Sequence, residues 1–393
     1  MTRDCLAATL VVFTLATAEL VRAQEYTPDS SPPERVELSG VVDVPLTLES
    51  NLPIVEVRVN GQGPFRFGIE TGANFMVISP DLAARLSLKR AGGTDEYPAY
   101  HLDTIDIGGA HFAGMPAVAR RVAQANIDGV LGLPLYRDLL LTIDYPNRRA
   151  RFERGALPAA DGQSILALTH VGPFWGMPLT IAGKPYSGVL DTRSTGGFGF
   201  TPESAKGVPF DGELRIVGRA RGAAIPEADV KAGTIAGDIR IGRYVFPRPA
   251  ASVRPLPPDF PTEPIVGGRV LSQFAITLDQ RNARLRLARA GADPIVLDDQ
   301  SSRAAASSTR AAASPDDFTG RYGSRVIRVE NGKLLLQRDG GPPLEMVASG
   351  ADTFTLAEVP QAQIKFTRDA AGVVTSVAIL NRDGQWETEK RVR

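Results

Sequence analysis

The chain repeats itself, and that repeat limits the folds open to it more than any other feature. "VLGLPLYRDLLLTIDYPNRRARF" from Val130 aligns without a gap on "IVGGRVLSQFAITLDQRNARLRL" from Ile265. Gly132 matches Gly267, Thr142 matches Thr277, Asp144 matches Asp279, and Asn147 matches Asn282; Arg149 and Arg151 find Arg284 and Arg286. Upstream, "IDIGGAHF" from Ile105 matches "IRIGRYVF" from Ile239. The front halves agree too: "VNGQGPFRFGIETGA" from Val59 parallels "IAGKPYSGVLDTRS" from Ile181, which is one residue shorter. This alignment sets Glu70 opposite Asp191 and Gly72 opposite Arg193. Two copies of one unit predict two similar lobes, each carrying a carboxylate on an equivalent turn.

Each copy reads as β. "IVEVRV" alternates apolar and polar residues and runs into Asn60-Gly61, a hairpin-turn signal. "LLLTID" and "FAITLD" suit short buried strands, each closed by an Asn/Arg turn. The content of 39 Gly and 30 Pro fits a chain with many turns. Helix is scarce. "SPDLAARLSL" offers one, with Ser79 as N-cap and Pro80 at the first helical position, and "TPESAKGV" repeats that opening in the second copy.

The flanks differ from the repeat. Arg3, an apolar stretch from Leu6 to Leu15 and small residues thereafter read as a secretory signal over 1–23, with cleavage after Ala23. Glu19 and Arg22 break that run well short of the roughly 20 apolar residues of a membrane span. The mature chain is therefore expected outside the cytoplasm, in the periplasm or beyond the cell, with no membrane span. The only cysteine, Cys5, falls in the removed segment, so neither a disulfide nor a thiol nucleophile is expected. Lys+Arg and Asp+Glu both total 44, and this balance gives no sign of nucleic acid as a partner. Residues 291–316 form an Ala/Ser-rich linker. From 317 to 393 short alternating segments resume, with Asn331-Gly332 as another hairpin signal.

With those residues set out, the chain resembles the aspartic peptidase superfamily in its bacterial two-lobed, retropepsin- and pepsin-like form. The resemblance covers roughly residues 36–290. It rests on the acid-Thr-Gly turn "ETG", on Val130-Leu131-Gly132 and Ile265-Val266-Gly267, and on their order in both copies. It implies a mainly β, pseudo-symmetric core with an N-terminal lobe over 36–158 and a C-terminal lobe over 159–290. It also implies peptide hydrolysis by a water activated between two carboxylates, here Asp191 and Glu70, with Thr71, Gly72, Thr192 and Arg193 in the supporting loops. Such chemistry uses no metal and no cofactor, and its partner is a peptide or protein. Lys89–Tyr100 and Gly218–Gly233 fall where the family has flap hairpins. The tail resembles the small lipocalin-like β-barrel domain appended to some secreted bacterial hydrolases, on "FTGRY", "NGKLLLQ", "DTFTL" and "IKFTRDAAG" in that order.

Each copy breaks the Asp-Thr-Gly pattern once. Glu70 carries an extra methylene, and a misplacement of about 1 Å can cost a hundredfold in rate. Arg193 stands where Gly would let the backbone pass the opposite carboxylate, and its guanidinium is expected to depress both carboxyl pKa values and remove the shared proton. Altered or reduced hydrolysis is the expectation. A non-catalytic peptide-binding protein of the cell envelope is the alternative, and an envelope scaffold with a filled cleft is a further one. Arg193 turned outward, or gripping a substrate carboxylate, would leave activity open. His101, His111 and His170 lack metal-ligand spacing and read as ordinary loop or strand residues. Asp128, Asp144 and Asp279 read as turn residues, and Trp175 as cleft lining or core.

Overall fold

The computed structural model describes residues 28–49, 51–122, 127–194, 196–222, 225–257, 260–291, 294–297, 315–330, 332–350, 352–356, 363–369, 373–380 and 386–392. The expected signal segment, residues 298–314 of the expected linker and Asn331 lie outside them. The fold is mainly β and two-lobed, with a further β unit at the C-terminal end.

The first lobe grows from the Asn60-Gly61 turn. Asn60 (φ 50°) and Gly61 (φ 74°) join strands Leu52–Val59 and Gln62–Ile69 with Val59 facing Gln62. Two positive φ values are what a two-residue turn needs to follow the strand twist. In the second lobe Ala182 (φ 46°) and Gly183 (φ 82°) do the same between Phe174–Ile181 and Lys184–Asp191. Alanine has no side-chain amide to favour that left-handed geometry, which costs an ordinary residue about 1 kcal/mol.

Both lobes then repeat one unusual pairing. Gly129–Leu131 runs parallel to Gln62–Ile69 and antiparallel to Met76–Ile78, which itself runs parallel to Ala110–Ala119. Ile265–Gly267 runs parallel to Lys184–Asp191 and antiparallel to Phe198–Phe200, which runs parallel to Ala250–Val253. The expected helix follows in each copy. Pro80–Arg85 starts from Ser79, whose side chain accepts from the Leu82 N–H, and Pro202–Ala205 starts from a Thr201–Ser204 capping box.

A six-stranded sheet takes strands from both lobes. At its centre Leu140–Asp144 lies antiparallel to Ala275–Asp279, with Thr142 facing Thr277. These two residues are equivalents in the repeat, so the local two-fold axis passes between them, and their hydroxyls are 2.9 Å apart. One buried apolar cluster runs through both lobes, including Phe67, Ile69, Leu190, Val266 and Phe274. The lobes therefore share a core.

The described residues from 315 to 392 have a core of their own, built on Phe318, Tyr322, Phe354 and Phe366. Their eight strands, from Gly320–Tyr322 to Trp386–Lys390, each pair with the next. The Tyr322–Arg391 bridge, with the Val392 N–H donating to the Arg321 carbonyl, joins the last strand to the first. This bridge brings the ends of the meander together, as in a barrel.

Candidate active site

Two strand ends carry the two acids. Gln62–Ile69 leads directly into Glu70, and Lys184–Asp191 ends on Asp191. The Gly-bearing strands hold these ends from beside: the Glu70 N–H donates to the Leu131 carbonyl at 3.0 Å, and Asp191 lies in register with Gly267. Gly132 and Gly267 continue into the loops. A Cβ at Gly132 would fall 2.2 Å from the Phe75 carbonyl oxygen, and one at Gly267 would fall 2.5 Å from that of Gly196. No side chain fits there. The next N–H groups, from Leu133 and Gly268, donate to Ala73 and Ser194 at 2.8 and 2.6 Å. The acid-bearing loops are braced alike in both lobes.

The threonines tie the loops together across the seam. Thr71 Oγ1 donates to the Leu190 carbonyl at 2.8 Å and accepts from the Thr192 N–H at 3.1 Å. Thr192 Oγ1 donates to the Ile69 carbonyl at 2.7 Å and accepts from the Thr71 N–H at 3.0 Å. Both threonines are buried, so losing either hydroxyl would strand a backbone donor and acceptor out of reach of water. Glu70, Thr71 and Gly72 thus meet Asp191, Thr192 and Arg193.

The symmetry fails at the carboxyls. Asp191 accepts from the backbone N–H of Arg193 at 2.9 Å and of Ser194 at 3.2 Å. Its Oδ1 lies 2.6 Å from where a Cβ on Gly72 would sit, which is why that position is glycine. Glu70 is equally enclosed, yet its Oε1 is buried without a hydrogen-bond partner among the described residues. Arg193 Nε stands 3.7 Å from that oxygen, within ionic reach but too far for a hydrogen bond.

Burial decides the proton balance. It pushes the Glu70 carboxyl up to about 8; the Arg193 charge pulls the other way, and Asp191 adds to the rise. Asp191 is also raised by burial, against its two backbone N–H donors and the charges of Arg193 and Arg254. The expectation that Arg193 would depress both acids and remove their proton is therefore corrected. Its side chain is 48% exposed while that of Glu70 is 1% exposed. Water screens the exposed cation, whereas the buried carboxyl is shielded from water.

Three further side chains surround the acids without having been singled out in the sequence. Tyr136 donates to the Glu70 backbone carbonyl at 3.2 Å, and its phenol is pushed up by burial. The Tyr145 hydroxyl is buried without a partner among the described residues; burial and Asp191 raise it. Arg254 is partly buried, and its charge acts on Asp191. Departure from the repeat was the available signal for the tyrosines, since Leu271 and Gln280 occupy the matching positions. Arg254 had none.

The remaining candidates are structural. Asp128 accepts from the Arg66 N–H, and Asp144 and Asp279 accept from the Asn147 and Asn282 N–H groups in their turns. Trp175 is buried, donates to Gln280 and packs on His170; His111 meets Asp106, and His101 is exposed. Among the described residues no three His, Cys, Asp or Glu side chains gather as a metal site, and no helix is long and apolar enough to cross a membrane. The expected flap positions hold hairpins, Arg90–Gly93 with Pro98–Ile107 and Arg215–Gly222 with Ile225–Thr234.

Residues 55–135, which contain the Glu70-Thr71-Gly72 turn and its bracing strand, match the family model for aspartyl proteases. Over those residues the chain is similar to aspartyl proteases. Among solved structures, the aspartic proteinase of Irpex lacteus is similar over 64% of this chain and 98% of its own, at 16% identity and a TM-score of 0.42. A retropepsin-like aspartic protease from Rickettsia conorii is similar over 30% of this chain and 94% of its own, at 18% identity and a TM-score of 0.24. No curated protein matches the chain. What stands out in this chain is its mismatched acid pair: among the described residues, one carboxyl is supported by backbone donors and the other is not.

Proposed function

We propose that the protein is an aspartic-type peptide hydrolase with altered activity, in which Asp191 is the base and Glu70 the acid. The observation that carries this reading is the crossed Thr71–Thr192 network, which sets the two acidic turns against each other at one seam. The role assignment follows from the surroundings. Two N–H donors favour the charged form of Asp191, whereas the unsupported Glu70 oxygen favours a protonated carboxyl.

In the reaction Asp191 takes a proton from a water molecule, whose oxygen attacks the peptide carbonyl carbon. Glu70 gives its proton to the carbonyl oxygen, forming a neutral geminal diol. In collapse, Asp191 passes its proton to the departing nitrogen and the C–N bond breaks. One diol hydroxyl returns its proton to Glu70, leaving a carboxylic acid, an amine and the starting charge state. Because Glu70 keeps its proton up to about pH 8, the acid remains available near neutrality. The signal-like segment at 1–23 supports action in the periplasm or outside the cell, on peptides or proteins.

The test is cleavage of a peptide library from pH 3 to 8, with heavy-oxygen water as solvent. Label in the new carboxyl group, inhibition by a hydroxyl-bearing transition-state mimic, and loss of turnover in Asp191→Asn are expected. A second reading, peptide binding without turnover, is favoured by one observation: an Arg occupies the position matching Gly72. Binding that Asp191→Asn leaves unchanged, with no cleavage at any pH, would replace the first reading by the second.

A further inference from the structure

The two departures from the repeat touch each other. Glu70 is the longer acid of the pair, and Arg193 is the side chain added in the opposite copy; Nε of one lies 3.7 Å from Oε1 of the other. They are one joint change. A second guanidinium joins them: Arg254 follows the strand Ala250–Val253, whose neighbour Phe198–Phe200 lies beside the bracing strand of Asp191. The Arg254 N–H donates to the Phe200 carbonyl at 3.0 Å, and its charge acts on both Asp191 and Arg193. Its guanidinium makes no hydrogen bond or ion pair among the described residues, although the residue is partly buried. A partly desolvated, unpaired cation is unfavourable unless an anion arrives to meet it.

We propose that Arg193 and Arg254 together form a carboxylate-binding subsite beside the acid pair, selecting peptides with a carboxylate adjoining the scissile bond. That this selection governs cleavage rests on the hydrolytic reading above; that it governs binding does not. Three considerations support it. Burial raises both acids, Glu70 to about 8, so near neutrality they carry at most one negative charge against the two guanidinium charges that act on them, which leaves a positive surplus. A guanidinium offers a planar fork of donors that matches a carboxylate, whereas the neutral peptide backbone has nothing of like charge demand. Arg193 is also close enough: its Nε is 3.7 Å from a reacting oxygen, and successive residues of a peptide are about 3.8 Å apart. The carboxylate could be the chain terminus of the substrate or an acidic side chain next to the cleavage point.

Three peptides of one scissile sequence separate these sources: a free C-terminal acid one residue beyond the bond, its C-terminal amide, and the amide with Asp or Glu at that residue. Full-length protein should cleave a carboxylate-bearing peptide with kcat/KM at least about tenfold above the neutral amide, the size of one charge-assisted hydrogen bond. Preference for the free acid alone identifies the terminus; equal preference for the acidic side chain identifies the charge. In Arg193→Gln/Arg254→Gln, with a melting profile matching the parent, the ratio should fall to about one. A second arm measures binding of the same peptides to Asp191→Asn by calorimetry. If no peptide is cut but carboxylate-bearing ones bind at least tenfold tighter, the subsite stands and the hydrolytic reading falls. Equal handling of acid and amide by the parent, a preference that survives in the double variant, or no binding of any peptide would each overturn the subsite.

Discussion

The two acidic turns are the same backbone with opposite fortunes. Each leaves a strand at the same point, each is braced by a Gly-bearing strand, and each exchanges two hydrogen bonds with the other through a threonine. Among the described residues, one acid finds backbone N–H donors and the other does not. A single methylene is enough for this, because the donors are fixed by the turn while the carboxyl moves with side-chain length. Duplication therefore preserved the frame while the surroundings of the two carboxyls diverged. In a symmetric pair either acid can hold the proton; the division of roles proposed here rests on those unequal surroundings.

The largest test of this division of roles removes each acid in turn. Glu70→Gln and Asp191→Asn are each expected to lower kcat by about a thousandfold, measured on a peptide the parent cleaves. A full effect at Asp191 with none at Glu70 would break the pairing. Next comes stability. Folded Glu70 holds its proton up to about pH 8, whereas an unfolded glutamate releases it near 4.5. Between those values the folded state binds more protons than the unfolded one, so stability falls as pH rises through that window. Glu70→Gln should flatten this slope and stabilise the protein at pH 8 by on the order of 3 kcal/mol, read from urea midpoints at pH 5 and pH 8.

A smaller effect separates the two loop positions. Gly72→Ala places a methyl 2.6 Å from Asp191 Oδ1 and should cost about a hundredfold in kcat. Arg193→Ala, at the equivalent position, should cost less than about tenfold on an uncharged peptide. Converting the pair to Glu70→Asp/Arg193→Gly should restore symmetry and move the pH optimum toward acid, because the shorter acid can then reach its own backbone donors. The smallest effect lies at the hairpin. Asn60 Oδ1 accepts from the Thr104 N–H at 3.1 Å, whereas Ala182 has no such group to offer Asp238 at the matching place. Ala182→Asn should stabilise the second lobe by about 0.5–1 kcal/mol in thermal unfolding.

Much of this was legible in the sequence because it is local or repeated. The alignment of Val130 on Ile265 set out the lobes and brought Thr142 to Thr277; Asn60-Gly61 gave its turn, and Ser79 and Thr201 gave their caps. Glu70 and Asp191 followed from the same alignment. What escaped depends on depth and direction, which no local pattern encodes. Arg193 was expected to dominate the proton balance because its charge is visible in the sequence and the burial of Glu70 is not. Tyr136, Tyr145 and Arg254 reach the site from a short 3-10 helix, a turn after a strand and a loop whose positions only the closed lobes define.

The crossed threonines also fix where this molecule can move. Parting the lobes at the floor of the cleft would expose two hydroxyls and the main-chain groups they satisfy at a single stroke, so that end behaves as a rivet. On the proposed reading a peptide enters and leaves from the opposite side, past the hairpins that pair Arg90–Gly93 with Pro98–Ile107 and Arg215–Gly222 with Ile225–Thr234.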